Sequence, residues 1–172
     1  MGRTNAFLAA ACGVLVLSAC SRPRPEPLRT YSMGEKVTVG HMVYTVFETK
    51  WETQLHQEPT PRIPQNRFFL IRLTTVNGAG GDVMVPDMTI EDDNGNTFQA
   101  LTSGDGVPQW LGPLRRVAPA ESASGLVAFD VPPRHYKLRV SDENGESAAL
   151  IDIPLSFNSE APDLAPIPNA AK

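Results

Sequence analysis

Four separate stretches of this chain change polarity at every second residue. Met88 and Ile90 alternate with Thr89 and Glu91, and Val127, Phe129 and Val131 with Ala128 and Asp130. Tyr136, Leu138 and Val140 alternate with Lys137, Arg139 and Ser141, and Ala149, Ile151 and Ile153 with Leu150 and Asp152. Period two is the mark of a strand with one buried face, and no segment of comparable length carries the 3.6-residue period of a helix. Phe68 to Leu73 is apolar on both parities, as expected of a central strand with little solvent on either face. Lys36 to Val39 and Met42 to Lys50, the latter rich in Val, Tyr, Thr and Phe, complete the set. Asn94-Gly95 and Asn144-Gly145 sit between such stretches and predict hairpins through type I′ turns, pairing 87–93 with 96–101 and the strand ending near Ser141 with the one starting near Ala148. About seven to eight short strands must fold into two sheets that each bury one face against the other. The predicted fold is an all-β antiparallel sandwich.

The ends read differently. Ala6 to Ala19 is an apolar run of fourteen residues preceded by one charge, Arg3. A membrane-crossing helix needs about twenty, so the run has the length of an export-signal core. Leu17-Ser18-Ala19-Cys20 resembles the lipobox of bacterial lipoproteins. That resemblance implies cleavage before Cys20, lipidation of its thiol and anchoring of the mature chain, in the outer membrane if the cell has one. Two or more acyl chains anchor stably where one is marginal, at about 0.8 kcal/mol per buried methylene. The expected organisation is a lipoprotein signal peptide over 1–19, a proline-rich tether over 20–33, the sandwich over 34–157 and a C-terminal tail over 158–172. Pro23, Pro25 and Pro27 favour an extended tether rising about 3.1 Å per residue.

Cys12 and Cys20 are the two cysteines, so the expected mature domain has no free thiol and no disulfide. The chain carries 15 Lys+Arg against 19 Asp+Glu, and residues 1–19 hold one Arg and no acid. The exported part is therefore mildly acidic, which argues against a nucleic-acid partner.

A resemblance runs through the middle of the chain. Gly34-Glu35-Lys36-Val37, Phe69 to Asn77, Asp92 to Phe98, Ala118-Pro119-Ala120-Glu121 and Gly125 to Pro132 resemble, in that order, the signposts of the DUF4352, telokin-like group of exported immunoglobulin-like domains. The resemblance implies an immunoglobulin-like sandwich on bacterial surface lipoproteins, with no shared activity and no catalytic residue. The chain lacks the intersheet cysteines of antibody-type domains, and Pro59 to Pro64 form an insertion outside the pattern.

Chemistry-bearing clusters are few. Asp92-Asp93-Asn94-Gly95-Asn96 groups oxygen ligands, but an EF-hand loop needs a glutamate at its twelfth position and Ser103 and Gly104 stand there, so the stretch is expected to be a turn without metal. His41, His56 and His135 lack partners at metal-ligand spacing and are expected as exposed loop residues. Ser122-Ala123-Ser124-Gly125 runs into a strand and lacks the nucleophile-elbow pattern, so no enzyme and no cofactor is expected. The long connection 102–122 holds Trp110 and Arg115, residue types over-represented at binding hot spots, beside Leu111 and Leu114. Two alternatives stand for it: a contact surface for an envelope protein, or a plug folded over the open end of the sandwich. The functional expectation is a lipid-anchored binding or structural domain acting through protein contacts. The alternative is a carbohydrate- or peptidoglycan-binding module using exposed Trp51 and Trp110.

Overall fold

A computed structural model describes residues 28–56, 58–113 and 115–155. Two sheets face each other. One has five strands in the order β1 (Thr30–Ser32), β11 (Ala148–Ile153), β10 (Tyr136–Ser141), β6 (Thr89–Asp92) and β7 (Thr97–Gln99). The other has four, in the order β2 (Val37–Val39), β3 (Met42–Glu52), β4 (Phe68–Asn77) and β9 (Ser122–Asp130). A two-stranded ribbon of β5 (Val83–Met84) and β8 (Arg116–Val117) lies inside the connections that read as loops in the sequence. All pairs are antiparallel except β1 with β11, which run parallel with Tyr31 opposite Ile151. The all-β sandwich expected from the alternation is the fold observed. Cys20, the 1–19 segment, most of the tether and the 158–172 tail lie outside the described residues.

Each alternating stretch turns its apolar parity inward. Leu138, Ile151 and Ile90 of the five-stranded sheet meet Tyr44, Ile71 and Phe129 of the four-stranded one, all fully or almost fully buried. Burying a side chain of this size contributes about 1.5–3 kcal/mol, and without a disulfide that burial must hold the sheets together. Trp51 stacks on Phe69 with ring centroids 4.3 Å apart and planes 16° from parallel, and Tyr136 closes the cluster at 6.0 Å from Phe69.

Both Asn-Gly hairpins form, with Ile90 opposite Phe98 and Ser141 opposite Ala148. Neither is the type I′ turn the sequence predicts, since Gly95 and Gly145 have positive φ and Asn94 and Asn144 do not, and the second loop spans four residues, 143–146. In the first loop Gly95 alone has a positive φ, +80°, and Asp92 N–H donates to Asn96 O at 3.0 Å, so three residues bridge the strands with glycine in the left-handed position. In each loop the preceding aspartate takes up the turn's N–H groups. The Asp92 carboxylate accepts from the N–H of Asn94 and Asn96 at 3.0 and 2.9 Å, and Asp142 accepts from the N–H of Glu146 and Ser147 at 2.8 and 3.2 Å. Under the ribbon Asn77 ties backbone carbonyls instead, donating to Gly81 O and Val117 O at 2.8 and 2.9 Å.

Candidate functional site

The outer face of the four-stranded sheet is built in two halves. Strand β3 carries a bulge at Phe47: Val46 pairs with Leu73 and Glu48 with Arg72, leaving Phe47 as the extra residue, 57 % exposed. Beyond it Glu48, Lys50 and Glu52 point to the outer face. On β4 the outward parity is Phe68, Leu70 and Arg72, and on β9 it is Leu126 and Ala128. These apolar outward residues are the second parity noted in Phe68 to Leu73. They belong to a second small core with Leu55 and Val107, and its members are all less than a tenth exposed.

Two connections roof that core. In the proline-containing insertion, Leu55 and Arg62 exchange backbone hydrogen bonds at 2.9 and 3.0 Å. The Arg62 guanidinium lies over the Phe68 ring and donates to Ser103 O at 3.0 Å, tying this insertion to the 102–122 connection. Gly106, at φ +77°, lets the second loop pass against the first, for a Cβ there would meet His56 O at 2.9 Å. Further along, Leu126 N–H donates to Gln109 O at 3.0 Å and Leu111 N–H to Leu126 O at 2.9 Å, so 109–111 runs beside β9 as a short parallel edge. Gly125 permits this approach, because a Cβ at that position would strike Gln109 O and Leu111.

What remains open between the roof and the sheet is a groove of about 530 Å³. Its floor is Leu55, Leu70 and Leu126, and its rim is Glu48, Lys50, Glu52, Arg72 and His56. The rim charges are paired among themselves: Arg72 Nε reaches Glu48 at 3.2 Å, its terminal nitrogen donates to Gln109 Oε1 at 2.8 Å, and Lys50 meets Glu52. The Glu52 carboxylate beside it raises the Lys50 ammonium above its usual value. An apolar floor with charges of both signs around it is suited to a partner that brings apolar groups flanked by polar ones.

The residues expected at a contact patch are not brought together on one surface. Leu111 is 2 % exposed and lies in the main core, because its backbone bonds to Leu126 turn its side chain between the sheets. The expectation that it offers itself to a partner is corrected by that burial. Trp110 is half-buried against the second core. Arg115 is exposed, with its carbonyl accepting Val85 N–H at 2.8 Å, and Leu114 lies outside the described residues. One face of Trp51 is occupied by Phe69, and Gly104 and Gly112 press closely on Trp110.

Sequence reasoning also missed an ionic cluster at one end of the five-stranded sheet. His135 is not a lone loop histidine: Nδ1 meets Asp93 Oδ1 at 2.8 Å and Nε2 meets Asp152 Oδ1 at 2.9 Å. The hydrogen bond to Asp93, with Asp152 in support, raises its pKa against some burial. Alongside, Arg134 reaches the buried Asp92 at 2.9 Å, and the Asn96 amide is the largest of several donors holding that carboxyl down at about 2. His41 pairs with Glu143 and lowers that carboxyl. The two His135 nitrogens point at carboxylates on different elements, so the three side chains do not converge on a common ligand position. His56 is the exposed loop residue that was expected, at the groove rim.

Two facing sheets with this strand order define the chain as an all-β sandwich protein. It belongs to the DUF4352 family, a domain of unknown function, whose model matches residues 31–148. Comparison with curated proteins finds no match. Among solved structures the fold is similar to the yjhA protein from Bacillus subtilis, at 15 % identity and TM-score 0.56, covering 72 % of this chain and 99 % of that one. It is similar also to MPT63, a secreted protein from Mycobacterium tuberculosis, at 16 % identity and TM-score 0.56, covering 76 % and 100 % of the two chains. A third, an uncharacterized β-sandwich protein from Clostridium difficile, is 12 % identical with TM-score 0.51, covering 77 % and 100 %.

Proposed function

We propose that this chain is a non-catalytic binding domain of the cell envelope, held to a membrane by acylated Cys20 and acting through protein contacts at the outer-face groove. The observation that carries the binding site is the groove itself, an apolar floor of Leu55, Leu70 and Leu126 inside a rim of paired charges. The anchor rests on Leu17-Ser18-Ala19-Cys20 at the end of an apolar run of signal length. An extracytoplasmic location fits the printed description of MPT63 as secreted, which is said of that protein. The alternative, a carbohydrate- or peptidoglycan-binding module, wants open aromatic faces, and both tryptophans are partly covered.

Mass spectrometry of the N-terminal peptide tests the anchor: a diacylglyceryl group on Cys20 at the mature N-terminus is expected, and an unmodified Cys20 rejects it. Capture from the protein's own membranes, wild type beside Arg72→Glu, tests the groove. A partner retained by the wild type and lost from the variant at unchanged melting temperature is the expected result; equal capture moves the contact elsewhere.

A further inference from the structure

The half of β3 beyond the bulge has a free edge. Strand β2 pairs only with Met42 to Tyr44, and the last bond on that side is Gly34 N–H to Val46 O at 2.9 Å. Among the described residues nothing pairs with the outer edge from Phe47 to Glu52. The direction of each backbone group follows from the ladder. In an antiparallel pair the N–H and C=O of one residue point to one neighbour, and those of the next residue to the other. Leu126 spends both groups on Gln109 and Leu111, so Arg72 opposite it bonds toward β3, and Glu48 opposite Arg72 bonds toward β4. Thr49 and Trp51 therefore aim two N–H and two C=O groups outward from the sheet. Residues 48–52 also set Glu48, Lys50 and Glu52 along the groove rim, so edge and groove are continuous.

We propose that this edge accepts an extended peptide segment as an added strand, with basic, acidic and basic side chains at alternate positions opposite Glu48, Lys50 and Glu52. This deepens the reading of the domain as a protein-binding one and rests on it. Strand addition takes its affinity from main-chain bonds and its choice of partner from alternate side chains, and here those side chains overhang the groove. The charge order also rules on a second copy of this chain. Two-fold pairing that uses all four free groups sets Thr49 against Trp51 of the copy, which sets Lys50 against Lys50 and Glu48 against Glu52. Like charges directly opposite are destabilising, whereas opposite charges there stabilise. The self-pairing that uses all four groups is thus disfavoured, while a segment of the complementary order can use all four. The ion pairs Glu48 makes with Arg72 and Lys50 with Glu52 are exposed and exchange readily for pairs to a partner.

The test uses the full-length protein and two synthetic peptides of Thr and Val, one carrying Lys, Glu and Lys at alternate positions, the other Glu, Lys and Glu. The first is expected to slow hydrogen exchange saturably at the amides of Thr49 and Trp51 and to bind about tenfold tighter than the second, from three charge pairs changing sign. The variant Glu48→Lys with Lys50→Glu and Glu52→Lys, altered only on the groove rim, reverses that preference at an unchanged melting temperature. Equal binding of the two peptides, binding without protection of Thr49 and Trp51, or a preference the variant leaves unreversed overturns the proposal. The wider reading fails separately, when the wild-type protein captures no partner from its own membranes. A partner captured as well by the triple variant overturns the edge while leaving protein binding standing.

Discussion

Gly104 lies against the indole of Trp110 so closely that a Cβ on it would overlap the ring. The relationship explains a glycine in a loop position where φ makes no demand for one, and it seats the indole on the second core beside Leu55 and Leu126. Gly104→Ala must push the ring outward. The expected cost is about 1–3 kcal/mol, typical of an overpacked site, with a red shift of tryptophan emission as the ring meets water. Thermal unfolding with fluorescence checks both; an unshifted spectrum at wild-type stability contradicts the contact.

The second core gives a different signature. Phe68 is 1 % exposed and carries the roof through the Arg62 guanidinium above it. Phe68→Ala is expected to cost about 3–5 kcal/mol. Hydrogen exchange should speed up most in 53–66 and 101–110, while amides of β10 and β11 keep the protection of the remaining global stability. Uniform acceleration across the chain would show that the two cores are one unit.

Asp92 supplies the acid limit. Its carboxyl is held at about 2 in the fold, below the ordinary value near 4 of an unfolded chain. A depressed carboxyl adds stability above the unfolded value and loses it as pH falls toward the folded one. The melting temperature should therefore fall between pH 4 and pH 2, and Asp92→Asn should flatten that fall while lowering stability at pH 7. A wild-type curve that runs parallel to the variant's through this window refutes the assignment.

His135 works in the opposite direction. Its pKa is raised by Asp93 and Asp152, so its contribution is complete below the unfolded value near 6.5 and disappears as pH rises through the folded value. The stability difference between wild type and His135→Gln should shrink from pH 6 upward. Imidazole resonances followed by NMR should place the His135 midpoint above the ordinary value near 6.5. A midpoint below 6.5 removes the two carboxylates from the account.

How far the sequence could be read follows from distance along the chain. Alternation and Asn-Gly pairs are local, and they disclosed the core parity of β6, β9, β10 and β11 and two hairpins. A type I′ turn needs positive φ at Asn94, yet only Gly95 adopts it, because Asp92, two residues before, takes the loop N–H groups. The double apolarity of Phe68 to Leu73 was visible, and it pointed to a covered outer face without saying what covers it. The cover comes from Leu55 and Val107, whose neighbourhood depends on Arg62 reaching Ser103 across 41 residues. His135 and Asp93 are 42 residues apart, and no spacing rule links them. Trp110 is legible as a hot-spot type with Leu111 beside it, but their seats against Gly104 and Leu126 depend on tertiary contacts.

The bulge at Phe47 decides what the rest of β3 means. Up to Val46 the even-numbered residues face the core, and beyond Phe47 the odd-numbered ones do, with Trp51 packed inward and Lys50 on the groove. Phe47 thus acts as a frameshift written in space. Deleting it would turn the strand inside out, driving Glu48, Lys50 and Glu52 toward Tyr136 and Phe69 and expelling Trp51 into water. Phe47, the most exposed aromatic ring among the described residues, therefore matters less for what it touches than for the count it adds.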